Sequence, residues 1–308
     1  MDNQDIKVTI RCITYNQKDY IRQCLDGFVM QRTNFRFEAI VHDDASTDGT
    51  AEIVREYAEK YPDIVKPIFE TENQYSKHDG SLGRIMNAHT RGQYVAFCEG
   101  DDYWTDPLKL QKQADFLDAN PQCSLTYHAC KNVFSTPCKD NILFGESVKE
   151  SYSEVDFVAL YPFQTATVMC RKEILDSDLY KKAQAIGCTA GDQILFLTAS
   201  RLGTIEGVNE KMSVYRRHEG GISQHMHDAD KLWKNFKDWQ KVALLFGGEI
   251  SSLIKKNQLS EYILFAFCDK KYLLFLRLEA LSLIKSPISF VQSLKTILRF
   301  NYNRFFKK

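Results

Sequence analysis

The chain has 308 residues, 44% hydrophobic and 26% charged, an ordinary globular make-up with room for one large domain and an appendage. Its 40 basic side chains balance 40 acidic ones, so net charge gives no ground for a nucleic-acid or acidic partner. Nine cysteines include no CxxC pair, and Cys123, Cys130 and Cys138 with His128 lack zinc-site spacing, which argues against a disulfide framework or structural zinc and for reduced thiols.

The start "MDNQDIKVTIRC" has neither a basic flank nor a long apolar core, so it does not read as a secretory signal. The β-rich run 8–15 follows and stops at Asn16. Tyr20, Ile21, Cys24, Leu25 and Phe28 then fall at helical spacing. A second strand, 37–42, ends at Asp43 and Asp44. Ser46, Thr47 and Asp48 are residues that cap helices, and they open a helix that closes at Pro62. A short strand at 63–69 contains Pro67, which predicts an edge position. A polar, Gly-rich loop at 76–83 leads to a helix near 84–90, then to a fourth strand at 93–98. The helix "DPLKLQKQADFLDANP" carries proline in its first turn and after its end.

Strands joined by helices of this length predict a parallel, doubly wound α/β sheet, whose ligands bind beyond the carboxyl ends of the strands. Thr14, Tyr15 and Asn16, then Asp43 and Asp44, then Glu99, Asp101 and Asp102 should therefore share one rim. Further on, 163–170 reads as a strand and 191–203 as a helix stopped by glycine. Residues 211–223 read as a strand entering a basic loop. From Asp228 the pattern turns helical and apolar, predicting a domain at 1–227 and a helical extension at 228–308.

Each cluster has a plain reading and a chemical one. Asp101 and Asp102 suit a turn or cap. With Glu99 they also suit a hard divalent cation, Mn²⁺ or Mg²⁺, arriving with a diphosphate. The segment 43–50 reads as a capped βα turn, or as carboxylates accepting hydrogen bonds from a ribose or base. Asp192 is either an N-cap or a proton acceptor whose ionised form the helix terminus favours. Arg216, Arg217 and His218 form a solvated basic loop, or cations that neutralise a leaving diphosphate with His218 joining the metal.

The joint order of these clusters resembles inverting glycosyltransferase family 2, with the GT-A fold, over roughly residues 6–223. "TYN" at 14–16, "DDASTDGT" at 43–50 and "EGDDYW" at 99–104 followed by "DPLKLQKQ" carry the likeness, which is strong to bacterial polysaccharide-type members. The resemblance implies a Rossmann-like nucleotide-diphospho-sugar transferase with a mostly parallel sheet. It assigns Thr14, Tyr15, Asn16, Asp43, Asp44, Arg84, Glu99, Asp101, Asp102 and Arg217 to the donor. It assigns Asp101, Glu99 and His218 to the metal, and Asp192 to the catalytic base. Glu99 departs from the family's usual aspartate by one methylene. The implied reaction is metal-assisted transfer from a UDP-sugar to a hydroxyl of a glycan or lipid-linked acceptor, with inversion, in capsule- or lipopolysaccharide-type synthesis.

No stretch reaches the roughly 20 uninterrupted apolar residues of a spanning helix. The expectation is a cytoplasmic protein. The basic, apolar tail 281–308 suits either the inner membrane surface or packing on the catalytic domain or a second subunit. Two other classes compete. A sugar nucleotidyltransferase would need a Gly-rich basic signature near its N-terminus, which is not in this sequence. A non-catalytic nucleotide-sugar binder or assembly partner would not need Asp192.

Overall fold

The computed structural model of the protein describes residues 6–134, 145–149, 152–159, 161–187, 191–218, 221 and 229–257. The chain divides into two compact units, Met1–Gly221 and Ile222–Lys308.

The first unit is built on an eight-stranded sheet: β1 (Val8–Thr14), β2 (Phe37–Asp43), β3 (Val65–Phe69), β4 (Tyr94–Phe97), β5 (Tyr103–Trp104), β6 (Cys123–Phe134), β7 (Met169–Arg171) and β8 (Thr204–Arg217), in the order β3-β2-β1-β4-β7-β6-β8-β5. The β3-β2-β1-β4 half is parallel. β7 runs antiparallel between β4 and β6, β8 is parallel to β6, and β5 pairs antiparallel on the outside of β8. Helices α1 (Lys18–Val29), α2 (Thr50–Lys60), α3 (Ser81–His89) and α4 (Lys109–Ala119) follow the first strands, and α5 (Glu154–Ala159), α6 (Lys172–Asp176), α7 (Asp178–Gln184) and α8 (Gly191–Leu202) come later. This is the mostly parallel α/β architecture that the sequence predicts.

β1 is buried along nearly its whole length, as a parallel strand covered on both faces must be. Val8, Ile10 and Cys12 join one core with Ile21, Cys24, Leu25 and Phe28 of α1. The Phe28 ring meets Trp104 edge-on at 5.0 Å. Fully burying such a side chain is worth roughly 1.5–3 kcal/mol, so this face fixes α1 on the sheet.

Pro67 lies on β3, at the sheet edge where proline costs no ladder bond. Elsewhere the elements depart from the sequence reading. α2 begins at Thr50 behind Gly49 (φ 102°), because Ser46, Thr47 and Asp48 form bonds to the neighbouring loop. Residues 163–170 do not form one strand. Thr165–Thr167 is a 3-10 turn, and only Met169 onward joins the sheet. Trp104 Nε1 and Gln113 Nε2 take the carbonyls of Ala166 and Thr167, each at 2.9 Å, so these groups cannot serve a ladder. β8 begins at Thr204, seven positions ahead of the expected start, by pairing with β6.

In the second unit, α9 (Ala229–Phe246) buries Trp239, Val242, Ala243 and Phe246 on one face and exposes Leu244. Gly247 and Gly248, at φ 64° and 52°, supply the left-handed backbone that ends it. The tail 281–308 lies outside the described residues. Among those residues, no helix is long and apolar enough to cross a membrane.

Lys109 is fully buried in α4. Its Nζ donates to Gln113 Oε1 at 2.7 Å and stands 4.0 Å from the centre of the Trp104 ring. Among the described residues it has no carboxylate partner, and burial pushes its pKa down to about 7. Between that value and the ordinary lysine value of 10.5 the unfolded chain binds the extra proton, so rising pH favours the fold across this window. Urea denaturation should show the stability of wild type relative to Lys109→Met climbing from pH 7 to 10, by at most about 1.4 kcal/mol per pH unit. A pH-independent difference would place the ammonium in water.

Candidate active site

The register of the parallel strands sets Thr14 beside Asp43 and Arg11 beside Phe97, so β1, β2 and β4 end on one rim. The loops leaving β1 and β2 are tied together there. Asn16, at φ 51°, donates its amide to Ser46 Oγ at 2.9 Å and accepts from the Thr47 amide at 2.8 Å. The amides of Gln17 and Lys18 donate to Thr50 Oγ1 at 2.8 Å and Asp48 Oδ2 at 3.1 Å. The Ser, Asp and Thr of "DDASTDGT" thus shape the mouth of the site.

The two aspartates of that segment have different duties. Asp44 accepts from the amides of Gln74 at 2.7 Å and Tyr75 at 3.0 Å, one on each oxygen, and so holds the loop after β3. Asp43 uses Oδ2 on the Ser46 amide at 3.1 Å, while its buried Oδ1 has no hydrogen-bond partner among the described residues. Tyr15 stands beside them with about half of its surface exposed.

After β4 the chain turns through Glu99 to Asp102, closed by the Asp102 amide on the Glu99 carbonyl at 3.0 Å. Gly100 donates to the Ile13 carbonyl at 3.0 Å, and a Cβ on it would lie 2.5 Å from Gln17 Oε1 and 2.8 Å from Thr14 Cβ. Only glycine allows the turn to sit this close to β1. Asp102 is buried, with Oδ1 accepting from the Arg216 amide at 2.8 Å. Burial and the neighbouring carboxylates of Asp101 and Glu99 hold its pKa well above the usual carboxylate range. Asp101 Oδ2 meets His218 Nε2 at 3.0 Å. Glu99 turns elsewhere. Its Oε2 accepts from Thr165 Oγ1 at 2.6 Å, and burial, with Asp101 and Asp192 nearby, raises its pKa to about 7.

Asp192 is the second residue of α8. Its Oδ1 accepts from the Gln193 amide at 2.8 Å, and its Oδ2 accepts from the Tyr161 hydroxyl. Burial raises its pKa despite those two donors and its helix-terminal place. Desolvation wins over the terminal field, so the carboxylate is more basic than the sequence alone suggests. Tyr161, bonded to Asp192, lies four residues before Thr165, bonded to Glu99, which brings the β4 turn and the start of α8 to one site. The Asp192 charge helps to raise the pKa values of both Glu99 and Tyr161.

Of the arginine pair, Arg216 reaches the acidic turn. Its Nη1 donates to the Asp101 carbonyl at 2.7 Å, its Nη2 bonds Gln23, and its guanidinium lies over Tyr103 at 4.4 Å. Arg217, one residue on in the same strand, lies over the ring of Phe134 at 5.7 Å. Arg84, on α3, donates to the carbonyl of Asp79 in its own loop at 2.7 Å and is largely exposed. Strand alternation carries only one member of "RR" to a given face, a signal that could have selected Arg216. Tyr161 and Thr165 sit in no motif, and nothing in their local sequence marks them.

Among the described residues, no three carboxylate, imidazole or thiol side chains converge on a complete protein-only metal site. The Asp101–His218 pair offers one hard oxygen and one imidazole nitrogen 3.0 Å apart, a donor set that fits a divalent cation taking its other ligands from phosphate and water.

The sequence model of the family described as glycosyl transferase family 2 matches residues 9–175. The Mycobacterium tuberculosis protein Rv1520 is 38% identical over 228 residues, covering 74% of this chain and 64% of its own length, so the match spans under two thirds of that relative. WfaP of Escherichia coli, a UDP-Glc:alpha-D-GlcNAc-diphosphoundecaprenol beta-1,3-glucosyltransferase, is 26% identical over 256 residues, 80% of this chain and 94% of its own. Among solved structures, Staphylococcus aureus TarS 1–349 in complex with UDP-GlcNAc superposes with a TM-score of 0.60 at 21% identity, over 85% of this chain and 73% of that one. The Pyrobaculum calidifontis mannosyltransferase in complex with GDP-Man and Mn²⁺ gives 0.54 at 19%, over 99% and 89%. At these identities the structural likenesses establish the GT-A fold.

Gly100→Ala must push the turn off Thr14 and Gln17. It should cost about 1–3 kcal/mol in thermal or urea unfolding. An unchanged midpoint would mean that the turn stands further from β1.

Proposed function

The chain belongs to glycosyl transferase family 2, and on that footing we propose that it transfers a sugar, with inversion, from a uridine-diphosphate donor to a hydroxyl of a glycan or lipid-linked acceptor in bacterial surface-polysaccharide synthesis. The observation that carries the reading is that one short segment holds two carboxylate centres, Tyr161 bonding Asp192 and Thr165 bonding Glu99 of the turn that packs on the end of β1. One centre suits the donor diphosphate, and the other suits the acceptor proton.

In this reading Thr14, Tyr15, Asn16 and Asp43 receive the base and ribose. The unpartnered Asp43 Oδ1 supports that role, and Asp44 acts by holding the loop beyond β3. Arg84 and Arg217 are the further cations assigned to the donor, while Glu99 and Asp102 border its ribose and sugar. Asp101 and His218, with Glu99 beside them, would hold a divalent cation, Mn²⁺ or Mg²⁺. When bound, that ion offsets the charge of the diphosphate. Asp192 takes the proton of the acceptor hydroxyl as its oxygen bonds to the anomeric carbon and the bond to the diphosphate breaks. The raised pKa of Asp192 supports this role, since a more basic carboxylate is the better acceptor. Uridine is favoured because WfaP uses UDP-Glc and TarS binds UDP-GlcNAc. The first unit is the catalytic domain of the proposal. The sequence from 228 on is assigned, as an extension, to the inner face of the membrane or to a second subunit.

Calorimetric or thermal-shift titration with UDP and with GDP, each with and without Mn²⁺, followed by release of UDP from UDP-glucose and UDP-N-acetylglucosamine, tests the proposal. UDP with Mn²⁺ should stabilise wild type and Asp192→Asn alike, and Asp101→Ala should lose the Mn²⁺-dependent part. Asp192→Asn should lower turnover about 10²–10⁴-fold. Near-normal turnover by Asp192→Asn would remove the residue from the base role.

A further inference from the structure

One short segment, Tyr161–Thr167, touches both halves of the site. At one end the Tyr161 hydroxyl donates to Asp192 Oδ2, and four residues on Thr165 Oγ1 donates to Glu99 Oε2 at 2.6 Å. The segment is itself pinned from beneath. Trp104 Nε1 holds the Ala166 carbonyl and Gln113 Nε2 holds the Thr167 carbonyl, both at 2.9 Å, and all four residues Trp104, Gln113, Ala166 and Thr167 are buried. Gln113 is oriented in turn by Lys109 Nζ, which occupies its oxygen at 2.7 Å and leaves its amide nitrogen for Thr167. The 3-10 bonds of the Thr167 amide to Gln164 and the Val168 amide to Thr165 make the turn stiff. Two carboxylates on different elements are thereby referred to one rigid piece of backbone.

We propose that Tyr161 and Thr165 are positioning residues, which fix Asp192 and Glu99 relative to each other through the buried Trp104–Gln113 anchor of their shared segment. The proposal rests on the reading of Asp192 as the base and Glu99 as a donor contact. Its physical content is orientation. A carboxylate with one oxygen held by Tyr161 and the other by the Gln193 amide has a set plane and cannot swing toward Glu99. The phenol stays protonated, and thus a donor, because burial and the Asp192 carboxylate both push its pKa up. Each Asp192 oxygen accepts one of these bonds among the described residues, and its second lone pair is the one assigned to an acceptor hydroxyl. Trp104 and Gln113, at either end of the segment that follows the acidic turn, thus hold the strap that spaces the carboxylates.

Tyr161→Phe keeps the ring that packs 5.9 Å from Phe196 and removes only the hydroxyl. Carbon-13 NMR titration of the full chain, with the Asp192 carboxyl assigned by its loss in Asp192→Asn, should show its midpoint rising by about one pH unit in Tyr161→Phe. It should stay in place in Thr165→Val. Turnover of UDP-glucose or UDP-N-acetylglucosamine, whichever wild type uses faster, should fall about tenfold in kcat for Tyr161→Phe with the donor KM within twofold. Thr165→Val should weaken UDP binding in the presence of Mn²⁺ about fivefold, and Thr165→Ser should restore it to within twofold. A Tyr161→Phe enzyme with wild-type kcat overturns the Asp192 half, whether or not the midpoint moves, and wild-type UDP affinity in Thr165→Val overturns the Glu99 half. Full activity in Asp192→Asn would instead sink the base assignment itself, and that outcome is separate from either.

Discussion

The organising constraint of this molecule is carboxylate crowding. Glu99, Asp101 and Asp102 lie within four residues, and Asp192 approaches them from another element. Desolvating like charges side by side costs several kcal/mol unless each finds a donor or a cation. The fold supplies these one by one: the Arg216 amide for Asp102, His218 for Asp101, Thr165 for Glu99 and Tyr161 for Asp192. All four partners come from the C-terminal half of the first unit. The long β6–β8 pairing therefore serves the site by delivering Arg216 and His218 across the sheet to a turn more than a hundred residues earlier.

A second layer of bonding fixes the rim. The β1–α1 and β2–α2 loops are joined by hydrogen bonds from the amides of Asn16, Gln17 and Lys18 to Ser46, Thr50 and Asp48, and by one from the Thr47 amide back to Asn16 Oδ1. Gly100 lies against Thr14 and Gln17 of that same loop. The motif residues thus make each other's geometry. This is the more economical account of why Ser, Asp and Thr recur in a segment whose proposed ligand contact is Asp43. The left-handed backbone at Asn16 and Ala45, φ 51° and 66°, is the local strain that the bonding sustains.

Much of this was legible in the sequence because it depends on local pattern. The β1, β2 and β4 strands, the edge place of Pro67 and the gathering of three polar clusters follow from periodicity and from the strand-end rule for parallel sheets. What escaped depends on distant partners. The 163–170 stretch has the β-branched look of a strand, but Trp104 and Gln113 take its carbonyls and bend it into a 3-10 turn. β5 is two residues long and exists only through pairing with β8. Ser46 Oγ and Asp48 Oδ2 have the chemistry of helix caps but accept from the neighbouring loop, and only Asp48 Oδ1 turns to the Thr50 amide at the start of α2. Thr165 and Tyr161 became visible only when the fold set them against Glu99 and Asp192.

Two cations beside this region have partners other than the acidic side chains. Buried Lys109 donates to Gln113 and stands over the Trp104 ring, with its pKa lowered by burial. Arg216 spends its guanidinium hydrogen bonds on a carbonyl and on Gln23 and lies over two aromatic rings, so it steadies the backbone of the turn. Its charge only partly offsets what burial and the neighbouring carboxylates do to Asp102. Glu99 and Asp102 accordingly keep raised pKa values in the folded chain. Carboxylates held in this state gain charge when a cation comes near and give it up in the bare turn, so the electrostatics of the rim are set by what binds beside it.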